Sequence, residues 1–154
     1  MRRSHYLLSQ IGGRLAFLVP EVVALLAFAA LVFDVPLRGS WLAFALVTLL
    51  GAMTFSGLGL LIASRARTIE GVSGLMNFVM LPMWILSGTF FSTARFPDWL
   101  QPAVQALPLT ALNDGLRAVM IDGAGLGAIG GELAINATWC VAAFTAALAL
   151  FRWR

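Results

Sequence analysis

Gly71–Phe91, GVSGLMNFVMLPMWILSGTFF, carries no charged side chain, yet it runs directly into STARFPDWLQPAVQALPLTALNDGLR. The first run is long enough to cross a bilayer, because about 20 apolar residues in a helix span the hydrocarbon. The second is too proline-rich and too amphipathic to cross one. Irregular backbone at membrane depth survives only where protein or water satisfies its N–H and C=O groups. The junction therefore reads as a spanning helix followed by a hairpin, packed against other helices near one membrane surface. Such an arrangement suits a gate or a lid.

The rest of the chain supports a membrane reading. It is 60% hydrophobic and 11% charged, with mean hydropathy +0.92, against roughly 25% charged residues in soluble domains. The net charge of +3 comes with ten basic residues, all arginine. They are scattered beside apolar runs and form no basic face, which argues against a nucleic-acid partner. The single cysteine, Cys140, lies in an apolar run and has no intrachain partner. Met1–His5 is basic, but Gln10, Gly12, Gly13 and Arg14 interrupt the next apolar run, so no signal peptide is expected.

Four spans are expected, at about 15–35, 41–63, 71–91 and 133–151. Residues 1–14 read as a cytoplasmic interfacial segment. Pro20 and Glu21 fall in the first span, and an acid at that depth is either functional or paired near the headgroups. In the second span Ala52, Ser56, Gly59 and Ala63 form a small-residue stripe, a surface for close helix packing. Gly51 and Gly57 add flexibility there. Pro82 should kink the third span. Asn77 is its polar residue at depth, facing either a substrate path or a helix interface, and Ser87 lies near the outer end.

Residues 96–122 are expected to form two short helices. Pro97 suits a first turn and Thr110 is a good N-cap type. Leu109, Leu112, Leu116 and Met120 share one face, while Asp114 and Arg117 form an i, i+3 pair elsewhere. Gly125–Gly130 spells G-x-G-x-x-G, but no strand precedes it and a span comes next, so it reads as a turn. Asn136-Ala137-Thr138 matches a glycosylation sequon but lies within a span. With both termini inside, Arg2, Arg3, Arg14, Arg65, Arg67, Arg152 and Arg154 flank the inner side. Only Arg38, Arg95 and Arg117 lie outside, as the positive-inside rule requires.

Leu86-Ser87-Gly88, Phe90-Phe91, Phe96-Pro97, Trp99-Leu100, Pro108-Leu109 and Arg117 together resemble the C-terminal half of ABC type-2 exporter permeases. One departure is Ser92, where that family often has proline. The resemblance implies an all-α polytopic membrane protein with four transmembrane helices plus an external re-entrant helical hairpin. It covers the third to sixth family spans, with the first two absent. It further implies coupling to a cytoplasmic ATPase through Arg2, Arg3, His5 and Tyr6. A translocation path would involve Asn77, Ser87 and Glu21, and an external gate Phe96, Pro97, Trp99, Pro108 and Arg117. A second permease copy, identical or not, and the lipid bilayer are the other partners. The chain has no Walker A motif, so ATP and magnesium would belong to the partner ATPase. No cofactor or metal is expected on this chain. The resemblance places it in the cell (inner) membrane with both termini cytoplasmic. The alternative is a non-transporting assembly or scaffold subunit, or an inactive permease fragment. A membrane-embedded enzyme is disfavoured, because the lone histidine is terminal and no two acids share a span centre.

Overall fold

The computed structural model describes residues 3–34, 37–65, 68–89 and 95–150. At residues 3–8, 10, 11 and 15 it describes the backbone alone. All regular structure among the described residues is helical. The helices are α1 (Arg3–Phe33), α2 (Trp41–Ala63), α3 (Ile69–Leu86), α4 (Gln101–Gln105), α5 (Pro108–Met120) and α6 (Gly130–Leu150). Four of them, α1, α2, α3 and α6, are long and apolar enough to cross a membrane.

Several helix ends differ from expectation for identifiable reasons. α1 starts at Arg3, with no break between an interfacial segment and a span. A helical glycine costs about 1 kcal/mol relative to alanine. A backbone left unsatisfied in hydrocarbon costs several times more, so the helix continues through Gly12 and Gly13. Asp34 comes after α1 with φ +53, a left-handed conformation that a short polar side chain tolerates. α3 ends at Leu86, short of Phe91, because Gly88 turns the chain out at φ +80. Thr68 caps its start, accepting from the Gly71 amide at 3.1 Å. α4 starts at Gln101 with Pro102 in its first turn, not at Pro97. Pro108 occupies the first turn of α5, so that helix begins ahead of Thr110. α6 begins at Gly130, directly after the 125–129 turn segment.

The core is a three-helix wedge of α2, α5 and α6. Ala43, Phe44 and Val47 of α2 meet Val119 of α5 and the buried Ile129, with Leu112, Leu116 and Leu133 packed around them. Gly57 is a point of tight contact between α2 and α6. A methyl there would lie 3.1 Å from the Phe144 ring and 3.2 Å from Ala143 Cβ. At Gly51 it would lie 2.5 Å from Leu112 Cδ1 of α5. These glycines therefore admit neighbouring helices, a different role from the flexibility expected of them. Thr54 Oγ1 joins the pair at backbone level, 2.8 Å from its own helix's Leu50 carbonyl and 3.0 Å from that of Asn136.

α1 and α3 sit on the other side of α2 and bury little of their surface. Phe17, Leu31, Ile69 and Phe78 are almost fully exposed. Apolar surface on this scale belongs in lipid or against other helices.

Candidate functional site

The α4–α5 hairpin enters the layer of spanning helices. Trp139 of α6 donates its indole N–H to the Ala106 carbonyl at the α4–α5 corner, at 2.8 Å. Residues 130 to 139 rise about 14 Å along α6, so the corner lies near half the depth of the bundle. Leu112, further along α5, lies opposite Gly51, and residues 41 to 51 rise about 15 Å, so the hairpin reaches at least that depth. The other end of α5 returns to the head of α2, where the Arg38 amide donates to the Met120 carbonyl at 3.3 Å. α5 thus climbs from mid-depth to one end of the bundle, antiparallel to α2.

The hairpin also touches the end of α3. Asn113 Nδ2 donates to Thr89 Oγ1 at 3.0 Å and reaches the Ser87 carbonyl and hydroxyl at 3.4 Å each. Ser87 and Thr89 share a hydrogen bond of 2.9 Å. Asn113 lies part-way down α5, so α3 stops within the depth of the bundle.

A groove of about 730 Å³ separates α1, α2 and α3. Ala52, Ser56 and Gly59 of α2 form its floor, and Met76, Met80 and Trp84 of α3 form one wall. The expected small-residue stripe therefore lines an open space, while the face bearing Gly51, Thr54 and Gly57 makes the tight contact. Arg14 and Glu21 of α1 bring two opposite charges to the other wall.

Next to Asn113 on α5, Asp114 lies near Arg117 and Glu132. Burial pushes the Asp114 carboxyl above its ordinary 3.8, Arg117 pulls it back, and Glu132 pushes it further up. The fold therefore favours the protonated form. Stability should fall as pH rises from 3.8 through the higher folded-state value, and level off above it. Asp114→Asn should remove this slope, and Arg117→Ala should move it to higher pH. Unfolding midpoints measured across that range check both; an unchanged slope in Asp114→Asn would exclude Asp114 as its source.

The expected site residues divide accordingly. Glu21 lines the groove. Asn77 is exposed on α3 and is not among the groove residues, whereas Ser87 is buried in the α3–α5 tie. Of the gate residues, Pro108 is buried and Phe96 half-buried, its carbonyl accepting from Gln101 Nε2 at 3.2 Å. Pro97, Trp99 and Arg117 are exposed. Arg2 lies outside the described residues, and Arg3, His5 and Tyr6 are described only as the backbone of α1. Sequence reasoning missed Trp139 and Asn113 as hairpin contacts. For Trp139 the signal was an indole N–H within an apolar run; Asn113, beside Asp114 in a polar stretch, carried none.

Residues 1–121 match the model of the ABC-2 type transporter family, ABC2_membrane. The chain is 33% identical over 96 residues to the inner membrane transport permease YadH of Escherichia coli, covering 62% of this chain and 38% of that protein. Identity to nodulation protein J of Bradyrhizobium diazoefficiens is 33% over 107 residues, covering 68% and 40%. ABC transporter G family member 20 of Dictyostelium discoideum is 29% identical over 126 residues, covering 82% of this chain and 17% of that protein. The chain thus spans less than half the length of these relatives. No solved structure matches it.

Proposed function

The chain belongs to the ABC-2 type transporter family, and on that footing we propose that it is part of the permease of an ATP-driven exporter. The observation that carries this reading is the half-depth hairpin. An amphipathic helix pair held between spanning helices can plug one end of a path and be withdrawn. The partner is a cytoplasmic ATPase, and a second permease copy completes the path. Arg2, Arg3, His5 and Tyr6 face the ATPase side. The hairpin, with Phe96, Pro97, Trp99, Pro108 and Arg117, faces outward as the exit gate. Both termini are then cytoplasmic, in the inner membrane. Nucleotide-driven movement would act through α1 and α3, which are the least packed of the spanning helices. Substrate would pass along the groove beside Glu21, and the cycle requires that the inward and outward states bind it differently. Asn77 would contribute to the path only on a face that another helix completes.

Co-purification tests the partnership. Gentle detergent extraction of a tagged copy should recover a stoichiometric ATPase. Recovery of a stable, inserted chain without one would favour a scaffold subunit or an inactive fragment. Arg117→Ala should cut export several-fold while leaving ATPase association intact. Normal export by that variant would remove Arg117 from the mechanism.

A further inference from the structure

α5 is packed in the core with α2 and α6, and two side-chain ties join the hairpin to different parts of the molecule. Ala106 is the C-cap of α4, and its carbonyl accepts from Trp139 on α6. α6 in turn is joined to α2 through Thr54–Asn136 and the Gly57 contact. On the other side, Asn113 binds Ser87 and Thr89 at the end of α3. α3 meets α2 only loosely; a methyl added at Gly59 would lie 3.8 Å from Met76 Cε. We propose that Trp139 is the latch that keeps the α4–α5 corner on the α2–α6 body, and that Asn113 with Ser87 and Thr89 is the joint that opens when α3 moves.

What α3 moves for rests on the permease reading; the two attachments do not. The chemistry favours a firm latch. Trp139 is 37% exposed, on a spanning helix, beside a hollow of about 300 Å³ lined by Ala134, Ile135 and Thr138. An indole N–H facing lipid has no water to replace the Ala106 carbonyl, so releasing it leaves a donor unsatisfied. The joint is different. Its contacts are longer, and its hydroxyls and amide can exchange partners among Ser87, Thr89 and Asn113. Trp139 is therefore a positioning residue for the gate.

Amide hydrogen exchange of the membrane-embedded chain, in native vesicles with its partner subunits, separates the two roles. Trp139→Phe keeps the ring and removes the donor. It should speed exchange across residues 101–107, where the Val104, Ala106 and Leu107 amides hold the α4 turn, by about five-fold, the effect of one lost hydrogen bond. Residues 47–58 and 140–147 should be unchanged. Asn113→Leu should instead speed exchange at residues 84–88 and leave 101–107 protected. Unchanged exchange at 101–107 in Trp139→Phe, or an equal rise throughout α2 and α6, would overturn the latch. If Trp139→Phe frees the corner but transport is unaltered, the latch stands and the hairpin's role as the exit gate fails; a chain with the latch but no transport at all would sink the permease reading alone.

Discussion

Gly39→Ala is expected to destabilise the protein by about 3 kcal/mol, the upper part of the range for overpacking. The segment carrying Arg38 and Gly39 crosses the C-terminal end of α5 at the head of the bundle. There a methyl on Gly39 would be driven into the Val119 carbonyl and would lie 3.0 Å from the Ala124 carbonyl. Both obstacles are backbone, and both belong to a corner fixed by the Arg38–Met120 and Ala124–Ala118 hydrogen bonds. Neither can yield by changing rotamer. At the same end of the molecule, Gly125 and Gly127 have open space around the added carbon, so alanine there should be tolerated. Unfolding midpoints in detergent compare the three variants. A Gly39→Ala protein as stable as the Gly125 and Gly127 controls would refute the crossing.

Gly57→Leu should disrupt the α2–α6 contact by a comparable amount. Phe144 and Ala143 already crowd the position of the absent methyl, and a leucine side chain has nowhere to go unless the helices separate. Separation would also break the Thr54–Asn136 contact. Cys140, the only cysteine, is buried in α6, and its labelling by a small thiol reagent after solubilisation reports the opening. Labelling should accelerate at least several-fold in Gly57→Leu and stay at the parent rate in Gly59→Ala, where the nearest atom is a flexible methionine methyl. Equal rates in all three proteins would mean that Gly57 is not a contact point.

Gly51 and Gly57 mark the border of what could be read from the chain. The extent of α2 was legible because uncharged residues fill Trp41–Ala63 between a Pro-Leu-Arg-Gly-Ser turn and an arginine-bearing loop. The hairpin was legible from its prolines and from the apolar face of α5. Which side of α2 receives α6 was not, because small residues occur on more than one face. Ala52, Ser56 and Gly59 look like a packing stripe and line the groove, while Gly51 and Gly57 make the contacts. Only the shape of the neighbouring helix distinguishes the two. The Asn113–Ser87 tie spans 26 residues and Trp139–Ala106 spans 33. Contacts at that separation leave no periodicity to trace. Asn77 illustrates the converse, a polar residue at depth that attracts attention in sequence and lies on an exposed face.

The dependence of α2 on α6 also sets a timetable for biogenesis. Residues 64 to 129 must be synthesised between the two helices, which takes roughly 3–13 s at 5–20 residues per second. During that interval α2 is in the bilayer without its main neighbour, its Gly57 side open. Thr54 is equipped for the wait. Its hydroxyl can bond the Leu50 carbonyl of its own helix from the moment of insertion, and finds the Asn136 carbonyl when the last span arrives. α2 is thus made well before its main partner, and a ribosome that stalls before Gly130 leaves the Gly57 face of α2 uncovered.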